Sequence, residues 1–228
     1  MAVLGAVGMV TTWKAPAAFA CDDGANNHCY AIANNHSLET GVYGQLYITC
    51  MYAPNNVNAG YFATNEVWNG STDGLYFTEG GVFSGAANGN YYSKSWFWAD
   101  QRPNGGGYHE HPGGGTPNTG TRYPVEIVWA GNNTWNIYGG NSDTLIGQST
   151  SQPLTVTNDM DAGTEYTVPS GKGMRNVGSI NELQYLATSG TWTFWGTRGG
   201  ADPELGPGAY ITPGYSSSNN FVTWTGPC

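Results

Sequence analysis

The chain has 228 residues, of which only 10% are charged, and its net charge is −9. Aromatic residues make up 14% of the chain and glycine accounts for 35 residues, a composition that favours turns and strands over helices. The seven lysines and arginines do not cluster, which argues against nucleic acid or a membrane as a partner. We also expect the protein to be a monomer.

The first twenty residues resemble a secretory signal peptide. A short apolar run is followed by Ala18 and Ala20, two small residues at the spacing that signal peptidase requires. The usual positive segment is missing, which a start codon further upstream would explain. We therefore expect a secreted, extracellular protein in which residues 1–20 are a signal peptide and residues 21–228 form a single domain.

Four cysteines remain in the expected mature chain, at Cys21, Cys29, Cys50 and Cys228. An even number of cysteines in a secreted chain predicts disulfides, and three pairings of these four are possible. A bridge to Cys228 would hold the C-terminus near the N-terminal part of the chain. No cysteine spacing is typical of a zinc site.

Strand-like runs follow one another at short intervals, each bounded by Gly, Asn, Pro or Asp. They cover residues 41–52, 59–68, 75–84, 91–99, 123–130, 133–138, 154–157, 163–168, 183–186, 191–196 and 221–225. About a dozen antiparallel strands suffice for two packed sheets, so the sequence predicts an all-β sandwich. Residues 103–121 are rich in Gly and Pro and predict a long loop that could be functional.

Two of the glutamates inside predicted strands of this weakly charged chain are candidates for chemistry. Glu79 shares a strand face with Leu75 and Phe77, where burial would raise its pKa, and Glu165 alternates with Thr164 and Tyr166. Taken one at a time, each glutamate is more simply interpreted as solvent-facing. Together they could converge and divide the roles of acid and base.

Segment 108–111, Tyr-His-Glu-His, places His109 and His111 on one side of the chain if it is extended. Two histidines at this spacing can ligate a metal, but a third ligand would have to come from elsewhere. We favour a polar loop beside a substrate groove, with Tyr108, His109 and His111 as substrate contacts. We predict no metal and no cofactor.

The aromatic run at Trp96, Phe97 and Trp98 ends shortly before Gln101. Because successive strand residues point to opposite faces, one face of this run would lie in the core and the other could form a platform. Exposed Trp and Tyr rings suit sugar rings and extended peptides. We therefore expect Trp96, Trp98 and Gln101 to contact substrate.

Three segments, taken in order, resemble those of the glutamic peptidases of the fungal eqolisin and plant neprosin types. Segment 78–82 (Thr-Glu-Gly-Gly-Val) resembles the Gln-X-Gly-Val pattern of eqolisins, with Glu79 where that family has Gln. The aromatic segment 91–99 follows, and segment 162–166 (Ala-Gly-Thr-Glu-Tyr) is similar to an Ala-Glu-aromatic pattern, with Glu165 as the second residue. A pair of glutamates is more similar to the neprosin type.

The resemblance implies a concanavalin-like double sheet and an acid-acting endopeptidase that hydrolyses polypeptides. Glu165 would be the general base and Glu79 the protonated hydrogen-bond donor. The alternative is a non-catalytic carbohydrate-binding or cell-surface module, which the many Trp and Tyr residues and the low charge would suit. A glycoside hydrolase using the same two carboxylates is a variant of the enzyme hypothesis.

Overall fold

The structure is a computed structural model that describes residues 28–102, 106–150, 152–167, 174–197, 204–205, 210–211, 219–226 and 228. The expected signal peptide and Cys21 lie outside these residues. Fifteen strands occur in the described part of the chain. They are β1 (Cys29–Asn35), β2 (Glu39–Tyr52), β3 (Phe62–Gly70), β4 (Phe77–Ala87), β5 (Asn90–Arg102), β6 (Gly107–Pro112), β7 (Arg122–Gly131), β8 (Thr134–Gly139), β9 (Thr144–Ser149), β10 (Asp159–Tyr166), β11 (Arg175–Ala187), β12 (Trp192–Phe194), β13 (Glu204–Leu205), β14 (Tyr210–Ile211) and β15 (Phe221–Gly226).

The strands form two antiparallel sheets, which confirms the predicted all-β sandwich. The first sheet has the spatial order β13-β1-β10-β3-β4-β5-β6. The second has the order β14-β15-β11-β2-β7-β8-β9, and β12 pairs with β11. Two 3₁₀ turns, Val57–Ala59 and Trp195–Thr197, are the helical segments of the described residues, and neither is long enough to cross a membrane.

The core lies between the two sheets and contains residues of both. The first sheet contributes alternate residues such as Val67, Val82 and Met160, while the second contributes residues such as Leu46 and Ile127. Because strand side chains alternate between faces, the residues that separate these core positions in the first sheet point away from the second sheet. That outer face carries the candidate site described below.

Most predicted strands occur in the structure, with boundaries that shift by a few residues. The predicted strand 154–157 is wrong, since only Thr157 pairs there, through an isolated bridge to Glu39. The predicted loop 103–121 is partly wrong, because residues 107–112 form β6 along the edge of β5. Strand β11 begins at Arg175, eight residues before the predicted strand 183–186, and strands β1, β9, β13 and β14 were not predicted.

A polar network lies between the sheets behind β3 and β10. The Asn65 amide donates to Asn176 Oδ1 at 2.8 Å, and the Thr164 hydroxyl donates to Asn65 Oδ1 at 2.8 Å. Asn176 in turn donates to the Thr64 carbonyl at 2.9 Å, and Thr223 contacts Thr164 at 2.8 Å. These bonds connect β3 and β10 to β11 and β15, and they therefore fix the two strands that carry Glu66 and Glu165.

The expected disulfides are confirmed within the described residues. Cys50 of β2 is bonded to Cys228, so the last residue is tied to the second sheet. Cys29, at the start of β1, is also disulfide-bonded.

Glu39 is a buried carboxyl away from the outer face of the first sheet. It is fully buried, its Oε1 accepts a hydrogen bond from the Thr157 hydroxyl, and its Oε2 has no hydrogen-bond partner. Burial raises the pKa of Glu39 from 4.5 to about 7, against the opposing hydrogen bonds from Thr157 and Gly41. The folded state therefore holds this proton more tightly than the unfolded state does.

We expect the variant Glu39→Gln to remove part of the pH dependence of stability. The stabilising effect of the raised pKa is complete below about pH 4.5 and is lost as the pH rises to about 7. The unfolding free energy of the variant minus that of the wild type should therefore increase by about 3 kcal/mol between pH 4 and pH 8. Chemical denaturation at both pH values measures it, and an unchanged difference would show that folding does not raise the pKa of Glu39.

Candidate active site

The outer face of the first sheet carries a groove with a volume of about 880 Å³. Aromatic, acidic and small residues from β1, β3, β4, β5, β6 and β10 line it, so that it runs across the strands. The lining includes His28, Phe62, Trp68, Glu79, Ala86, Gln101, Tyr108, Glu110, Asp159, Asp161 and Glu165.

Strand register brings the acidic side chains of the groove into neighbouring positions. Glu79 of β4 is opposite Ala99 of β5, and Ala99 is opposite Glu110 of β6. On the other side, Glu79 is opposite Trp68 of β3, which is opposite Asp161 of β10. These five residues form one row across the sheet on its outer face.

In the neighbouring row of the outer face, the residues on both sides of Glu66 are glycines. Glu66 of β3 is opposite Gly81 of β4 and Gly163 of β10. A Cβ atom at Gly81 would lie 2.6 Å from the Glu66 Cβ, so a side chain there would collide with Glu66. Gly163 has φ of 150°, a conformation that other residues rarely adopt. The two glycines leave room for carboxylates to meet above Glu66.

Three glutamates, from three neighbouring strands, meet at this point. One carboxyl oxygen from each of Glu66, Glu79 and Glu165 lies within 4.8 Å of the others. The three residues are only 0%, 2% and 6% exposed, respectively. The structure therefore brings together the two glutamates that the sequence singled out, Glu79 and Glu165, and adds a third.

The Thr64 hydroxyl connects the backbone of Glu165 to the side chain of Glu66. Its Oγ1 accepts the Glu165 backbone N–H at 2.9 Å and donates to Glu66 Oε1. At the mouth of the groove, Nδ1 of His28 contacts Glu165 Oε1. The ring of Tyr108 is about half exposed, while its hydroxyl is hydrogen-bonded to Glu79.

Burial and crowding favour protonated carboxyls in this cluster. Burial raises the pKa of Glu79 well above its usual value, and the Glu165 and Glu110 charges add to this, against hydrogen bonds from Glu66 and Tyr108. Burial, followed by the charges of Glu79 and Glu165, raises the pKa of Glu66. Burial and the Glu165 charge raise the pKa of Glu110 to about 7, against the opposing effect of His28. Glu79 is thus a buried acid that faces a groove.

Gln101 and Tyr108 line the groove, as expected of substrate contacts, but the two tryptophans do not. Trp96 is completely buried in the core, and Trp98 packs against that core. Both belong to the face of β5 that points toward the second sheet, because the outer face there carries Ala99 and Gln101. As a correction to the expectation, neither tryptophan reaches the groove.

The two histidines of β6 also lie away from the glutamates. His111 stacks on Trp98 with ring centroids 4.0 Å apart, on the inner face of the strand. His109 shares that face, and its Nε2 lies 2.5 Å from the Gly106 carbonyl oxygen. The residue between them, Glu110, is the one that faces the groove. The predicted substrate contacts of His109 and His111 are therefore absent from the groove lining.

Glu66 and Glu110 were not predicted as site residues, although the signal that selected Glu79 applies to Glu66. Glu66 is also a carboxylate inside a predicted strand, between Thr64 and Trp68 on one face. Glu110 was not predicted because its segment was interpreted as a loop. Only the pairing of β6 with β5 determines which side of that segment faces the groove.

Carboxyl oxygens this close can bind a cation as well as share protons. The hydrogen bond between the carboxyls of Glu66 and Glu79 favours a proton shared by these two residues. The absence of a bound metal remains a prediction. His109 and His111 lie on the opposite face of the sheet and add no ligand to this cluster.

The fold is similar to that of solved glutamic peptidase structures. Scytalido-glutamic peptidase with a peptide-based transition state analogue matches with a TM-score of 0.56 and 6% identity, over 85% of this chain and 96% of the peptidase. The same peptidase with a transition state analogue inhibitor matches with a TM-score of 0.57 and 7% identity, over 86% and 97%.

A third structure, SCP-B of the eqolisin family in complex with the tripeptide Ala-Ile-His, matches with a TM-score of 0.50 and 8% identity, over 85% and 96%. No family model matches the sequence, and no curated protein matches it. At these identities the likeness concerns the fold alone. This chain has a glutamic peptidase-like fold.

Proposed function

We propose that the protein is a secreted, acid-acting endopeptidase that hydrolyses peptide bonds with Glu79 and Glu165. The observation that carries this proposal is the meeting of the two carboxyls, from β4 and β10, in one groove with oxygens within 4.8 Å. Carboxyl groups at this separation can act on the same water molecule and the same carbonyl group. The glutamic peptidase-like fold supports the same conclusion.

Glu165 is the general base in this mechanism. Its carboxylate takes a proton from a water molecule, whose oxygen then attacks the carbonyl carbon of the peptide. Thr64 fixes the Glu165 backbone by accepting its N–H, and His28 contacts one carboxylate oxygen. The contact with His28 holds the side chain in the groove, and the other oxygen remains for the water.

Glu79 is the hydrogen-bond donor and acid. Because burial and the Glu165 charge raise its pKa, Glu79 keeps its proton under acidic conditions and can donate to the oxygen that becomes negative. The proton then passes to the departing amine as the C–N bond breaks. This role requires the protonated form, so activity should be present below the raised pKa of Glu79 and lost as the pH rises through it.

The shape of the groove suits an extended polypeptide. It crosses six strands, with apolar Phe62 and Ala86 among the residues on its lining and Asp159 and Asp161 of β10 also present. The peptidases of similar fold were solved with peptide-based ligands or a tripeptide. The carbohydrate-binding alternative depended on Trp96 and Trp98 as a platform, and both point away from the groove, so we favour the peptidase.

Digestion of a reduced, denatured protein by the purified chain tests this proposal. Fragments identified by mass spectrometry should report cleavage within the polypeptide at about pH 4 and much less at about pH 7. The double variant Glu79→Ala/Glu165→Gln, purified in the same way, is the control for contaminating peptidases. Chelation with EDTA should leave cleavage unchanged. Equal fragments from wild type and double variant, or an intact substrate throughout, would contradict the proposal.

A further inference from the structure

We propose that Glu66 is a positioning residue that holds a buried proton against Glu79 and thereby sets the pH range in which Glu79 remains an acid. The inference rests on the proposed function, in which Glu79 donates a proton. It assigns a task to the third carboxyl of the cluster, which the two-glutamate mechanism does not use.

The location of Glu66 excludes direct contact with substrate. Its side chain is 0% exposed, and it is absent from the groove lining that includes Glu79 and Glu165. Gly81 and Gly163 flank it, so its carboxyl lies under those of the other two glutamates. Glu66 can therefore act on the reaction only through Glu79 or Glu165.

Hydrogen bonding fixes the oxygen of Glu66 that carries the proton. Because Thr64 Oγ1 accepts the Glu165 N–H, its hydroxyl hydrogen is available to donate, and it donates to Glu66 Oε1. Glu66 Oε2 and Glu79 Oε2 are both buried, and neither accepts a hydrogen bond from any other donor. The carboxyls of Glu66 and Glu79 are hydrogen-bonded to each other. A proton on Glu66 Oε2 satisfies both oxygens.

The surrounding charges keep this proton on Glu66. Besides complete burial, Glu66 faces the carboxylates of Glu79 and Glu165, and all three effects raise its pKa. The groups that face Glu79 are Glu66, Glu165 of β10, and Tyr108 and Glu110 of β6. His28 contacts Glu165 and acts on Glu110, which opposes part of the negative charge.

The donor of the hydrogen bond between Glu66 and Glu79 follows from the contact with Thr64. Because Thr64 donates to Glu66 Oε1, the proton of Glu66 lies on Oε2, and a hydrogen bond donated from there stabilises the ionised form of Glu79. Glu66 therefore limits how far burial and the Glu165 charge can raise the pKa of Glu79. Without a donor at position 66, Glu79 should keep its proton to higher pH.

Two substitutions at position 66 distinguish the effect of losing the hydrogen-bond donor to Glu79 from the effect of losing the carboxyl group itself. In Glu66→Gln, the side-chain oxygen can accept from Thr64 and the amide can donate to Glu79, so the high-pH limb of the pH profile of kcat/KM should stay in place. In Glu66→Leu the donor is lost, and the limb should move to higher pH. Glu39→Gln, which removes another buried carboxyl away from the groove, should leave the limb unchanged. An identical limb in Glu66→Leu would overturn the proposal.

A direct measurement on the wild type does not require turnover or a folded Leu variant. The side-chain carboxyl carbons of ¹³C-labelled glutamates can be followed by NMR through a pH titration, with Glu66→Gln and Glu79→Gln used for assignment. The Glu66 signal should stay at its protonated position while the Glu79 signal titrates. Ionisation of Glu66 before Glu79 would overturn the proposal.

The two experiments distinguish failure of this inference from failure of the proposed function. A wild type that cleaves no peptide would contradict the peptidase proposal, while the NMR titration would still report the proton on Glu66. A wild type that cleaves peptides with a limb insensitive to Glu66→Leu would contradict only the role of Glu66.

Discussion

The variant Glu165→Gln is expected to lower kcat/KM for peptide hydrolysis by about 10²–10⁴-fold at acidic pH. The amide has nearly the same shape as the carboxylate but cannot take a proton from water. The backbone N–H of residue 165 still donates to Thr64, because that bond does not involve the side chain. The loss should therefore fall on the chemical step, with kcat lowered and KM little changed.

Steady-state kinetics with a fluorogenic peptide measures this effect. Near-UV circular dichroism provides the control for folding, and Glu39→Gln provides a matched control in which another buried glutamate outside the groove becomes an amide. Retention of full activity by Glu165→Gln would remove Glu165 from the mechanism. A similar loss in Glu39→Gln would mean that the effect of position 165 is structural.

The two variants Glu79→Ala and Glu79→Gln are expected to differ in activity. Glu79→Ala removes the donor to the developing oxyanion and should lower kcat by about 10²–10³-fold. Glu79→Gln keeps a neutral donor at the same position, so it should retain more activity than Glu79→Ala. Because an amide does not titrate, the loss of activity with rising pH that Glu79 causes should disappear in Glu79→Gln.

The sign of this effect follows from the raised pKa. In the wild type, burial and the Glu165 charge keep Glu79 protonated, and the acid is lost as the pH rises through the raised pKa. Profiles of kcat/KM from about pH 3 to about pH 8 for the wild type and both variants make the comparison. A high-pH limb that persists in Glu79→Gln would assign that limb to another group, and Glu110 is the first to examine because its pKa is about 7.

The sequence predicted that Glu79 and Glu165 act together because the chain has few charges and both glutamates lie inside strands. The aromatic run of residues 96–98 could not be oriented from the sequence in the same way. Trp96, Phe97 and Trp98 are all apolar, so alternation alone does not decide which face is inside. Packing decides it: Trp96 lies in the core, and Phe97 packs with Phe83 and Ala99 in a separate cluster on the outer face.

Glu66 carries the same local signal as Glu79, a carboxylate inside a strand, but its place in the site and that of Glu110 depend on information that local patterns do not contain. The importance of Glu66 comes from the glycines opposite it on two other strands, Gly81 and Gly163, which depends on cross-strand register. Glu110 belongs to a segment rich in Gly and Pro that becomes a strand only by pairing with the edge of β5. Long-range pairing of this kind is set by the whole sandwich.

Cleavage of a defined peptide at about pH 4, followed by mass spectrometry of the products, tests most directly whether Glu165 and Glu79 act together when the wild type is compared with Glu165→Gln, Glu79→Ala and the matched control Glu39→Gln. We expect fragments from the wild type and from Glu39→Gln, and almost none from Glu165→Gln or Glu79→Ala. Fragments formed at the wild-type rate by Glu165→Gln or by Glu79→Ala would contradict a shared role of the two carboxyls.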